Sequence, residues 1–283
     1  MVPVSRGRRR LAALLVAWCL LPSVAAAQTP KEAWATLRAH FADVERFRET
    51  QDGRMSQVQD LMGAASPAFQ GPRASLVTLW RLLGSHWNAE NSVLRGRDRS
   101  LRAAQENFAA IDAMTKRFLE LADQMANRRT PDAESTFRNY LAQFSGRLND
   151  LDRLYFTPVY SDLMQFTNEC GGHESIVATH SDAARRAIDD FYQGRKNGEV
   201  GRRQMQATRE TLFAFFVPWD ASHGATIAAG RVVVNDWRRI HVDTAELVTF
   251  LRSPDFVDKI PDIDAGNVID TIKRIDGYLA TYR

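Results

Sequence analysis

Apolar residues recur at intervals of three and four along most of the chain, the spacing that lines one face of an α-helix. The longest unbroken run lies between Leu101 and Tyr155. In its first half Leu101, Ala104, Phe108, Ile111, Thr115, Phe118, Ala122 and Met125 share one face; in its second, Phe137, Leu141, Phe144, Leu148, Leu151 and Tyr155 do. Between the halves, Asn127 to Asp132 has the chemistry of a helix restart. Thr130 is placed to cap the second helix, Pro131 to occupy its first position, and Asp132 and Glu134 to face the positive end of its dipole. So short a connection makes the two helices antiparallel neighbours. The pattern predicts an all-α protein, an elongated helical bundle organised on this long antiparallel helical hairpin.

The same period predicts the flanking elements. A first helix spans Pro30 to Met62 through Trp34, Leu37, Phe41, Val44, Met55 and Val58, with Arg48 and Gln51 interrupting its seam and Asp52-Gly53 offering a break. Residues 63–72 read as a loop from their Pro and Gly content. A second helix starts near Arg73 and carries Leu76, Leu79, Trp80, Leu83, Trp87 and Leu94; Gly84 within it lets a neighbour come close, and residues 95–99 read as a kink or turn or, alternatively, as continuous helix that makes one long rod to Met125. After Pro158 the pattern predicts a short helix over 160–170 ended by Gly171-Gly172, a restart over 173–193, and a helix over 202–217 stopped by Pro218. Residues 221–242 are read as helix or irregular, because the β-branched run Arg231 to Val234 has no second strand to pair with. A short helix over 244–251 and a last one capped by Asp264 complete the chain. The glycine pair divides a hairpin-bearing bundle over 28–170 from a shorter-helix region over 171–283 packed on it.

Residues 1–27 change the electrostatic picture. Arg6, Arg8, Arg9 and Arg10 precede an apolar stretch from Leu11 to Leu21 and a small-residue site at Ala25-Ala26-Ala27, the layout of a cleaved secretory signal peptide. The stretch is shorter than the roughly 20 residues of a membrane span. The formal charge of the whole chain is +3, and removing those four arginines leaves 33 basic against 34 acidic residues, a net charge of −1. A basic surface for nucleic acid is therefore not expected. The expected compartment is the periplasm, with no transmembrane span in the mature chain. Cys170 is then the sole mature cysteine, so no intrachain disulfide forms.

Candidate chemistry is sparse. Cys170, His173, Glu174 and His180 form the densest local cluster; a thiol near a helix start with a histidine three residues on is the layout of an activated nucleophile. His173 and His180, seven apart, face one way and suit a divalent metal, as do His86 and Glu90, four apart. Asp220-Ala-Ser-His223 is the nearest match to the Glu-x-x-His motif of bundle metal sites. Phe213, Phe216 and Trp219 are candidates for lining an apolar pocket. No phosphate loop, dinucleotide fingerprint, nucleophile elbow or covalent-haem motif is present. The sequence is accordingly read as an exported helical binding or interaction protein of the cell envelope, non-enzymatic and without cofactor, whose partner is an envelope protein or an apolar small molecule. The alternative is a periplasmic protein holding a divalent metal, or a thiol enzyme, centred on Cys170, His173 and His180.

Overall fold

The computed structural model describes residues 28–65, 70–96, 100–194, 199–258 and 265–283. Within them the chain is all-helical: α1 (Pro30–Ala65), α2 (Gln70–Glu90), α3 (Leu101–Asn127), α4 (Pro131–Leu151), α5 (Thr157–Gly194), α6 (Glu199–Leu251) and α7 (Ala265–Ala280). Short π-helical segments, Asn91–Arg95 and Asp152–Phe156, follow α2 and α4. Among the described residues no helix is long and apolar enough to cross a membrane.

Local chemistry accounts for the helix starts. Thr29 and Glu32 form a reciprocal capping box, the Glu32 N–H donating to Thr29 Oγ1 at 3.3 Å and the Thr29 N–H to Glu32 Oε2 at 2.8 Å. Ser100 caps α3 through the Ala103 N–H, and Thr130 caps α4 through the Ala133 N–H with Pro131 in its first turn. Contacts between α3 and α4 step in opposite directions along the two helices, from Asn107 with Arg147 through Met114 with Tyr140 to Phe118 with Phe137.

Several expected helix ends are absent. Helix α5 passes through Gly171-Gly172, α6 through Pro218, and α1 through Asp52-Gly53 to Ala65. Each break costs about 1 kcal/mol for a glycine and about 3 for an internal proline. Buried residues on both sides hold the helices together: Phe166, Cys170 and Val177 around the glycine pair, Gln51 and Met55 around Asp52-Gly53, and Trp219 beside the proline. The stretches read as short helices over 160–170 and 244–251, and as helix or irregular over 221–242, are thus parts of longer rods, and α2 already begins at Gln70 inside the expected loop. Ahead of Pro158 the chain does not leave the helix. The π turn there bridges α4 to α5, with the Thr157 N–H donating to the Asp152 carbonyl. The expected cap Asp264 lies outside the described residues.

Interfaces between helices close two rings. Helices α1, α2, α5 and α6 surround one axis, each touching its two neighbours; α3, α4, α7 and the later part of α6 surround a second. The most extensive interface joins α5 to α6, so the α3–α4 pair is one wall of a larger assembly. Helix α6, 53 residues and about 80 Å long, belongs to both rings. The second ring is filled by Phe118, Phe137, Phe144 and Phe256, with Val268, Ile272 and Ile275 from α7. In the first ring Gly230 of α6 meets Thr167 of α5 so closely that an added Cβ would stand 2.6 Å from Thr167 Oγ1. Gly84 does the same for the Arg48 guanidinium, which stacks 4.8 Å from Trp87. That contact explains an arginine in the α1 seam.

Candidate functional site

Each helix of the first ring sends one histidine or cysteine to the common axis. His40 comes from α1, His86 from α2, Cys170 from α5 and His223 from α6, and all four are buried. Their positions follow from the helical period. His40 is three residues past Leu37, His86 three past Leu83, Cys170 four past Phe166 and His223 four past Trp219, so each continues a buried face. The close crossing at Gly230 and Thr167 draws α5 and α6 together one turn and two turns away, within reach of a hydrogen bond between them.

The contacts form a chain. His40 Nε2 lies 2.7 Å from His86 Nδ1, and His86 Nε2 lies 3.3 Å from Cys170 Sγ. His223 Nε2 lies 3.3 Å from the Cys170 carbonyl oxygen. A carbonyl only accepts, so His223 carries its proton on Nε2 in that bond. The His86 ring stacks on His223 at 5.8 Å and meets Phe166 and Trp219 edge to face at 5.1 and 5.5 Å. Burial, with the neighbouring His223 adding to it, pushes the His40 imidazole down to about 4, and burial pushes the Cys170 thiol up to about 12. At neutral pH the His40 imidazole and the Cys170 thiol are therefore both uncharged.

Above this layer a cavity of about 670 Å³ opens between α1 and α6. His40 and Trp219, 8 % and 4 % exposed, form its floor; Ala39, Val44, Phe47, Pro218 and Ala225 line its sides. Asp43 and Arg46 stand at the rim, exposed and paired at 3.6 Å. His40 thus belongs to both the buried layer and the cavity.

The residues singled out from sequence are dispersed. Cys170 and His86 meet each other, whereas His180 Nδ1 bonds Ser75 Oγ at 2.9 Å on a different part of α5. Glu90, one turn beyond His86, pairs with Arg95 instead; burial first, then the Glu45 charge, raises its carboxyl above the usual range. Trp219 does line a cavity. The side chains of His173, Glu174, Phe213 and Phe216 lie outside the described residues. His40 carried no local motif, and its one signal was a polar residue at an inward position of an apolar seam. No family model matches this chain, and no curated protein or solved structure is significantly similar to it.

Proposed function

We propose that this is a helical binding protein of the cell envelope that holds a small, largely apolar molecule in the cavity between α1 and α6. The observation that supports it is the meeting of that cavity with a buried polar layer drawn from four helices, in which the His40 imidazole and the Cys170 thiol are uncharged. Pockets of a few hundred Å³ with mostly apolar walls and a few convergent polar groups are the usual form of a small-molecule site. Burying three imidazoles and a thiol costs stability that an apolar layer would not. A site for a ligand gives that cost a purpose. Export by residues 1–27 belongs to the same proposal and rests on their composition.

The metal and thiol alternative has one observation in its favour, the contact of Cys170 with His86. Two others weigh against it. The ring nitrogens of His86 point to two different partners rather than to one point where an ion would sit. A thiol pushed up to about 12 is the reverse of an activated nucleophile.

The test is saturable binding of the neutral apolar fluorophore N-phenylnaphthylamine, followed by energy transfer from tryptophan. We expect one site per chain, lost in Ala39→Phe, which fills the cavity from an exposed position with helicity unchanged. Binding unaltered by that substitution, or no saturable binding at all, would refute the proposal.

A further inference from the structure

We infer that Cys170, His86 and His40 form a hydrogen-bond relay polarised toward the cavity, which presents His40 Nδ1–H as a donor and selects an amphiphile with a carboxylate head. The inference rests on the cavity reading above and specifies its ligand. Two proton arrangements satisfy the contacts at 2.7 and 3.3 Å. In one, the Cys170 S–H donates to His86 Nε2, the His86 Nδ1–H donates to His40 Nε2, and His40 keeps its proton on Nδ1. In the other every donor is reversed, Cys170 Sγ must accept, and His40 Nδ1 is left with a bare lone pair.

Sulfur decides between them. A thiol bonds weakly in either role, but the second arrangement also leaves its S–H without an acceptor, because Cys170 Sγ meets only His86 among the described residues, whereas the first uses it. Burial keeps the proton on Cys170, which preserves the S–H the relay starts from. His40 Nε2 is taken by His86, so Nδ1 is the ring nitrogen left for a molecule in the cavity.

The groups around His40 agree in sign. It faces His86 from α2, Phe166 from α5, and His223 and Trp219 from α6, with no carboxylate among them. On its own helix Asp43 stands at the rim, offset by Arg46 at 3.6 Å. The floor therefore offers a donor and no fixed negative charge, which suits an acceptor head and opposes an ammonium.

Dodecanoate and dodecylammonium, which share a tail and differ in the head, separate the outcomes when each is titrated against bound N-phenylnaphthylamine at pH 7. Dodecanoate is expected to compete at least about tenfold more tightly, the scale of one hydrogen bond to a charged group. Cys170→Ala removes the donor that orients the relay and should reduce the preference to within about threefold, and Cys170→Ser, whose hydroxyl can donate to a backbone carbonyl of its own helix while accepting from His86, should lower it as well. Equal competition, a preference for the ammonium, or a ratio unmoved in Cys170→Ala would overturn the relay with the cavity intact. If the fluorophore itself does not bind, the cavity reading fails first and takes this inference with it. Circular dichroism of each variant separates lost selectivity from lost fold.

Discussion

His40 is where burial and function compete most directly. In the unfolded chain its imidazole titrates near 6.5, and in the fold burial holds it to about 4. Between those values the unfolded state binds a proton that the native state refuses, so stability is complete above about pH 6.5 and falls as the pH drops toward 4. The loss from this one group is on the order of 3 kcal/mol across the window. Thermal unfolding at pH 7 and pH 5 should show a fall in Tm that His40→Gln, neutral at both values, largely removes. An equal fall in the variant would place the acid sensitivity elsewhere. A carboxylate bound beside His40 would favour its protonated form, and the pH dependence should weaken when dodecanoate is present.

The crossing of α5 and α6 at Gly230 sets how near Cys170 and His223 can come. A methyl group there would stand 2.6 Å from Thr167 Oγ1 and 3.2 Å from its Cγ2. Thr167 is buried, its hydroxyl already donates to the Leu163 carbonyl, and it has little room to retreat. Gly230→Ala should cost roughly 1–3 kcal/mol through overpacking, beyond the small gain an alanine brings to a helix. Adding Thr167→Ala removes both clashing atoms and should recover most of the loss, a coupling that denaturant titration of the two single variants and the double variant measures. Gly230 drew no notice in the sequence because a glycine's close approach depends on its partner helix. The same limit governs the other misreadings. Helix identity, the seams of α3 and α4 and the Thr130 cap were legible, because period and capping are local. The continuations through Gly171-Gly172 and Pro218 were not, because burial from other helices outweighs the local penalty. Cys170 and His86 were noticed, but with neighbours chosen along the chain, whereas their contacts come from α1, α2 and α6.

Among the described residues the layer of histidines stands between two apolar blocks. One runs from Trp34, Phe41, Phe166 and Ile227 through the whole second ring; the other, much smaller, holds Val44, Phe47, Leu79, Leu83, Val177 and Trp219. Between them stand His40, His86 and His223, with Cys170 on the inner side. A packed apolar layer would join the blocks and spare the polar groups their desolvation, which costs about 1–3 kcal/mol for a buried polar group without full hydrogen bonding. The triple variant His40→Leu, His86→Met, His223→Leu should therefore raise Tm by up to about 10 °C, at the few degrees per kcal/mol typical of a chain this long. It should also abolish the carboxylate preference, since no donor remains on the cavity floor. Amide exchange separates this from a uniform effect. Protection at Leu79–Leu83, in the smaller block, should rise toward that of Phe144–Leu148 in the larger one, because the barrier to sharing a core has gone. A triple variant that unfolded more readily than the native chain would mean that the imidazoles hold the four helices together, and the layer would then be explained by stability without a ligand.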